Sequence, residues 1–457
     1  MKALKISEII SATGGKLLCG NIDSEIVNVS TDSRKIEKGC LFVPLAGEKF
    51  DGHDFLDLAI AKGASAVLTH KEKMPENAQG TAVIKVNNTL KALGALASYY
   101  RSLFKIPALA VTGSVGKTTT KEMCAIVLAK KYNVLKNKGN FNNEIGVPLT
   151  LFSLDDTHDI LISEMGMSGF GEIDRLSEMV RPEIVVMTNI GMSHIELLGS
   201  QENIYKAKSE VIKNMNPKGV VIINGDDPIL LSHKAELGNH VITVGIKNKD
   251  CDLVAKDIIS TQECVSFVVY GMGESFELSI PVPGEHNVYN ALSACAAGII
   301  CHVTEDMIKA ALSDFTPDSM RMCVINCDAY TVINDCYNAA PDSMSAALKV
   351  LSGYEGRKVA ILGDIACLGT YSYDAHKYVG AEVFKNDIDV LVTIGEQARL
   401  IGEGAFENGM DSTKIYSFND VGEALSKIRS IIKEKDTILV KASRVMELER
   451  VTQFLTK

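Results

Sequence analysis

The sequence predicts an α/β protein of three domains, a small mixed N-terminal unit followed by two units built on parallel sheets. Three observations carry this. A chain of 457 residues is too long for one hydrophobic core. Short, wholly apolar runs alternate with helical patterns over most of its length, as strands buried on both faces require. A glycine-rich loop, Gly113-Ser114-Val115-Gly116-Lys117-Thr118-Thr119, stands between one such run and an amphipathic helix. The expected boundaries are 1–104, 105–315 and 316–457.

Within the first unit, residues 26–30 alternate like a strand, and 41–45, 64–69 and 82–86 are further strand candidates. Residues 90–100 carry helical spacing, and Pro107 marks a boundary. The second unit opens with strand 108–111, the glycine loop and a helix over 118–130. Runs at 159–163, 184–188 and 220–223 continue a βαβ series, which predicts a doubly wound sheet. Residues 241–282 read as β-rich pieces appended to it. The third unit begins near Thr316-Pro317, with strands at 330–333, 359–362, 390–394 and 438–440. Asp335, Asp364, Glu396 and Ser443 stand where those strands end, and the carboxyl ends of parallel strands line the ligand crevice.

Composition narrows the function. Hydrophobic residues at 46% exclude a disordered or fibrous chain. A net charge of −10 without any Lys/Arg cluster argues against nucleic acid as a partner, because a phosphate backbone demands a concentrated basic face. The 11 cysteines never form Cys-x-x-Cys, so reduced thiols of a cytosolic protein are expected rather than disulfides or structural zinc. The N-terminus lacks the apolar core of a signal peptide, and the longest apolar stretch, 291–303, is too short and polar to span a bilayer. The expectation is a soluble cytoplasmic enzyme.

The glycine loop departs from the pattern G-x-x-x-x-G-K-[ST], since Val111 stands where the first glycine belongs. Its physics is intact. Gly113 and Gly116 let backbone N–H groups converge on phosphate oxygens at a helix N-terminus. Lys117 would neutralise phosphate charge, and Thr118 would ligate Mg²⁺ beside it. A plain strand-to-helix turn is the alternative. Glu164, after an apolar strand, stands where a carboxylate supporting the metal belongs, although a surface carboxylate also fits. His194, near the end of another strand, is a ligand candidate or a structural histidine.

Together these residues resemble the Mur ligases, the amide-forming enzymes of peptidoglycan assembly. The resemblance rests on Thr112-Gly113-Ser114-Val115-Gly116-Lys117-Thr118, Thr31-Asp32-Ser33-Arg34, Phe50-Asp51-Gly52-His53, and Gly139-Asn140-Phe141-Asn142-Asn143-Glu144. It continues through Glu164-Met165-Gly166, Ser193-His194-Ile195, Lys208-Ser209-Glu210, His286-Asn287-Val288-Tyr289-Asn290, Arg321-Met322 and Tyr337-Asn338-Ala339, in order along the whole chain. It implies an N-terminal UDP-sugar domain, a central ATP domain and a C-terminal Rossmann-like domain for the incoming amine. It implies, too, an ATP-dependent ligase in cell-wall synthesis, which activates the carboxylate of UDP-MurNAc-tripeptide as an acyl phosphate that D-Ala-D-Ala then attacks.

Under the resemblance, ATP is held by residues 113–119 with Asn287, Asn290, Arg321 and Asp335, and Mg²⁺ by Thr118, Glu164, His194 and Lys208. Lys208 matches a position that related Mur ligases carbamylate, and an ordinary helix lysine is the alternative. Lys117, Glu164, His194, Lys208 and Arg321 are the implied catalytic set. Ser33, Arg34, His53, Asn142, Asn143, Tyr337 and Asn338 are implied substrate contacts, and a monomer is implied. The chain departs from the family pattern at Asn334, Cys336, Ala340, Cys367 and Ala442, all on the presumed amine side. A Mur-type ligase for a different amine, a folylpolyglutamate- or cyanophycin-type ligase, and a nucleotide-controlled switch without ligase activity are the competing readings.

Overall fold

The computed structural model describes every residue except 48, 49, 73, 77 and 239. The chain divides into two compact units, one of residues 1–111, 132–185 and 209–219, the other of residues 112–131, 186–208 and 220–457.

The first unit contains a five-stranded sheet in the order Lys16–Cys19, Ala82–Lys85, Ala66–Thr69, Cys40–Phe42, Asn28–Ser30. All neighbours run parallel except the edge strand Lys16–Cys19. Phe42, Val67 and Val83 pack with Leu56 and Ala59 of the helix Leu56–Ala61 on one face. The run at 26–30 is two strands, Glu25–Ile26 and Asn28–Ser30. Val27 between them is exposed and its amide turns to the Gly39 carbonyl.

The helix Thr89–Ser102 starts where the Asn88 side chain accepts from the Lys91 amide, satisfying an orphan donor of its first turn. It buries Leu93, Leu96, Ala97 and Tyr100 along one face. Arg101 is buried too, and its guanidinium donates to the carbonyls of Val180, Phe104 and Ile106. Strand Ile160–Glu164 runs parallel to Val134–Lys136 on one side and to residues 108–111 on the other. Glu164 thereby lies opposite Val111, immediately before the glycine loop.

In the second unit, Val220–Asn224, Val241–Gly245 and Leu253–Ser260 are parallel. Val265–Gly271 and Glu274–Ile280 extend them as an antiparallel meander, which is the β-rich segment expected over 241–282. The apolar stretch from 291 lies in a buried helix, His286–Ile300, and no helix among the described residues is long and apolar enough to cross a membrane. That helix packs against Lys117–Ala129, the helix after the loop.

A six-stranded sheet completes this unit, ordered Cys323–Asn326, Thr331–Asn334, Thr437–Lys441, Lys358–Gly363, Val390–Ile394, Ile415–Phe418. Its first pair is antiparallel and the rest parallel. The last strand in sequence is inserted between two earlier ones, so the connections diverge there and open a crevice at the carboxyl ends. Asp335, Asp364 and Ser443 follow the three strands involved.

The helices Ser372–Lys385 and Arg399–Glu407 meet backbone to backbone through Gly380 and Gly404. A Cβ on Gly380 would lie 2.2 Å from the Ile401 carbonyl oxygen, and one on Gly404 would lie 2.5 Å from that of Lys377. Gly380→Val is expected to destabilise this unit by about 1–3 kcal/mol through overpacking. A fall in the denaturant midpoint checks it, and an unchanged midpoint would refute the close approach.

Candidate active site

The glycine loop begins at Gly113 with φ 144°, and a Cβ there would lie 1.9 Å from Thr188 Oγ1. Only glycine fits. Gly116 has φ 85° and faces Asn290 Oδ1, which a Cβ would approach to 2.8 Å. The helix begins at Lys117, so its first backbone donors point into the loop.

Residues 188–191 hold the loop in this shape. The Ser114 amide donates to the Asn189 carbonyl at 2.9 Å. The Asn189 side chain accepts from the Val115 amide at 2.9 Å and donates to the Val115 carbonyl at 3.0 Å. Thr188 Oγ1 donates to that same carbonyl at 2.6 Å, and the Gly191 amide donates to Ser114 Oγ at 2.9 Å. Asp227 in turn accepts from the Ile190 amide at 2.8 Å. None of these props was read from the sequence. The signal for them was the polar pair Thr188-Asn189 at the end of an apolar strand.

Lys117 Nζ donates to the carbonyls of Gly113 and Ser114 at 2.9 and 3.1 Å. Lys208 Nζ reaches the same Gly113 oxygen at 2.8 Å. Lys208 is 1% exposed. Burial, with the charge of Lys117 beside it, pushes its amine well below the ordinary lysine value. His194 sits at φ 66°, and burial, followed by Lys208 and Lys117, lowers its pKa to about 4. Lys117, His194 and Lys208 therefore gather round one loop, and Thr118 is buried at its helical end.

A cavity opens beside the loop, lined by Gly116, Asn189, Asn224, His286, Tyr289 and Asn290 among others. Asn290 accepts from Thr120 Oγ1 and donates to Asn287 Oδ1, each at 3.1 Å. Asn287 is 4% exposed and donates to the Pro283 carbonyl, so it orients Asn290 from behind. Tyr289 donates to Asp226 Oδ2 at 2.8 Å, and Asp226 also accepts three amides of residues 246–248. Burial lowers the His286 pKa to about 4.

At the C-terminal crevice, the Arg321 guanidinium lies 3.9 Å over the Tyr337 ring. Asp335 is ion-paired with Lys441 at 2.6 Å, and the Asn338 carbonyl accepts from the same ammonium. The departing residues Asn334, Cys336 and Ala442 are buried. Asn334 donates to the Ser319 carbonyl and accepts from the Cys336 thiol. Ala340 stands at the N-cap of the helix Pro341–Ser352, its amide donating to Ser343 Oγ, and Cys367 is exposed.

In the other unit, Glu164 is 2% exposed and accepts from the Asn142 side chain at 2.7 Å. Asn137, missed in the sequence, binds the Glu164 backbone in both directions. Asn143 caps the helix Gly146–Leu151 through the Ile145 and Gly146 amides. Ser33 opens a short turn, and Arg34 is exposed and paired with Asp32. His53 is buried, hydrogen-bonded to Asp51 at 2.7 Å and edge-on to His70, so it shapes its loop from within.

For a divalent cation, no three His, Cys, Asp or Glu side chains converge among the described residues. The Thr118 hydroxyl and the neutral His194 imidazole suit it as donors, whereas the Lys208 amine does not.

Asn189→Ala removes both side-chain bonds to Val115 and is expected to weaken nucleotide binding roughly tenfold. Calorimetric titration checks this, with circular dichroism confirming the fold. The lowered pKa of His194 means that the unfolded chain takes up its proton first. Its contribution is complete above pH 6.5 and is lost as pH falls through about 4. Stability of the second unit should decline over that window, and His194→Gln should flatten the decline.

Family models cover most of the chain: the Mur ligase family catalytic domain at residues 25–101, the Mur ligase middle domain at 111–298, and the Mur ligase glutamate ligase domain at 320–444. The chain is 38% identical to the UDP-N-acetylmuramoyl-tripeptide–D-alanyl-D-alanine ligase of Bacillus subtilis over 98% of both proteins. The crystal structure of MurF from Acinetobacter baumannii superposes with a TM-score of 0.91 at 31% identity, covering 100% of this chain and 99% of that one. MurF of Thermotoga maritima in complex with ADP matches with a TM-score of 0.84 at 26% identity, over 94% of this chain and 97% of that one. The chain belongs to the Mur ligase family.

Proposed function

We propose that this protein is an ATP-dependent amide ligase of peptidoglycan precursor synthesis, joining D-alanyl-D-alanine to UDP-N-acetylmuramoyl-tripeptide. The observation that carries this is end-to-end similarity to the Bacillus subtilis ligase of that activity, at 38% identity over 98% of both chains. We further assign domains to 1–104, 105–315 and 316–457, each of which contains one of the three family matches. The protein would act as a cytoplasmic monomer.

The geometry supports a division of labour. Lys117, the backbone donors of residues 113–119 and the helix N-terminus bind the triphosphate, and the cavity beside Asn290 takes the base. The tripeptide carboxylate attacks the γ-phosphorus, the bond to the β-phosphate bridging oxygen breaks, and ADP departs. Lys117 and Arg321 screen repulsion between the two anions. The neutral amine of D-Ala-D-Ala then adds to the acyl carbon. The tetrahedral adduct expels inorganic phosphate, and the amine's proton passes to solvent or to phosphate. Mg²⁺, when bound, supplies Lewis-acid charge stabilisation at the phosphates. Thr118, Glu164 and His194 are the residues assigned to hold it.

Lys208 completes that set once carbamylated. Burial, with the charge of Lys117 beside it, favours the neutral form of its amine. Such an amine adds to CO₂, releases H⁺ and becomes an anionic oxygen ligand. Lys208→Ala should abolish most activity, and wild-type activity should rise with added bicarbonate. The absence of both effects would refute carbamylation.

Phosphate release from ATP with UDP-MurNAc-tripeptide and a panel of amines tests the function. D-Ala-D-Ala should exceed D-alanine by roughly a hundredfold in kcat/KM. Equal rates across the panel would overturn the dipeptide assignment. Tight ATP binding without phosphate release would favour a nucleotide switch.

A further inference from the structure

Lys441 ends the strand Thr437–Lys441 and is 3% exposed, and no role in the reaction falls to it above. A buried ammonium requires acceptors. Its Nζ donates to Asp335 Oδ2 at 2.6 Å and to the Asn338 carbonyl at 3.0 Å. The second carboxylate oxygen, Asp335 Oδ1, accepts from the Met322 amide at 3.1 Å. Met322 has φ 52°, a left-handed conformation that a non-glycine residue keeps only when its surroundings hold it.

Arg321 precedes Met322 directly. Its guanidinium rests on Tyr337, two residues beyond Asp335, and the Tyr337 amide donates to the Met320 carbonyl. Arg321 Nε is buried and has no hydrogen-bond partner. The guanidinium is thus held by stacking and by its backbone, with donor capacity to spare. Asp335 is tied to the residue next to Arg321 through the Met322 amide, and Lys441 already occupies that carboxylate.

We propose that Lys441 is a positioning residue: by holding Asp335 it keeps that carboxylate from capturing Arg321, which leaves the guanidinium on Tyr337 for the terminal phosphate of the nucleotide. The inference rests on the role assigned to Arg321 above. Lys441 itself touches no nucleotide. Its effect is confined to the γ-phosphate, so it separates ATP-like ligands from ADP.

The test compares affinities of the full chain for ADP and for a non-hydrolysable ATP analogue by calorimetry. Lys441→Met should weaken the analogue roughly tenfold while leaving ADP unchanged, and Lys441→Arg should behave as wild type. A purely structural lysine would instead lower both affinities together, and that result overturns the proposal. If Lys441→Met does not fold, Lys441→Gln takes its place with the same expectations. Arg321→Ala is the separating control. If it leaves the ratio unchanged, the assignment of Arg321 has failed and the proposal falls with it. If it shifts the ratio while Lys441→Met does not, the proposal alone has failed.

Discussion

Two lysine side chains share one backbone oxygen, the carbonyl of Gly113, and much of the site's chemistry follows from that arrangement. The carbonyl can face both amines only because Gly113 takes a φ that favours glycine, in a space that Thr188 closes to any Cβ. Two amines so close, one of them fully buried, cannot both stay charged at low cost. Lys208 is pushed toward its neutral form and His194 is pushed the same way. The loop therefore sets the protonation states around it. Burial and the neighbouring Lys117 thus disfavour the charged forms of both the Lys208 amine and the His194 imidazole.

The global charge gives this local arrangement its importance. At a net −10, the protein's field repels the polyanions that an ATP-dependent ligase must collect. Attraction has to be generated within a few ångströms, where screening by salt is weak. A single ammonium on a mobile loop would do this poorly. Here Asn189 grips Val115 from both sides and Thr188 adds a third bond, so the loop donors are fixed before any phosphate arrives. Preorganised donors of this kind cost little reorganisation on binding.

Strands buried on both faces, such as Ala108–Thr112 and Val390–Ile394, were legible because burial leaves an unbroken apolar run. The edge strands Lys16–Cys19, Val134–Lys136, Cys323–Asn326 and Ile415–Phe418 were not. Their residues are partly exposed and carry no such run. The phosphate loop was legible from its glycines together with the apolar run before it and the helical pattern after it. Lys208 and Arg321 stood out only through the family resemblance, since nothing local separates them from surface cations. The props were illegible for another reason: Asn189 meets Val115 across 74 positions, and a hydrogen bond made at that separation leaves no mark near either partner.

The same physics bears on the residues that depart from the family pattern. An aspartate in place of Asn334 would set a carboxylate oxygen against the Ser319 carbonyl, to which the asparagine donates at 2.7 Å. The amide suits that neighbour. Its oxygen then accepts from the Cys336 thiol and the Thr452 hydroxyl, so two of the departures satisfy each other in a buried network. Ala442 packs against Gly363, where a further Cβ would come within 2.7 Å of its methyl group. Asn334, Cys336 and Ala442 are thus explained by the interior they pack in, without reference to the incoming amine. Ala340 and Cys367, the latter exposed at φ 61°, remain of the five as side chains that the protein's own packing leaves unexplained. Selectivity for the amine therefore has less reason to differ from that of the relatives than the sequence differences suggest.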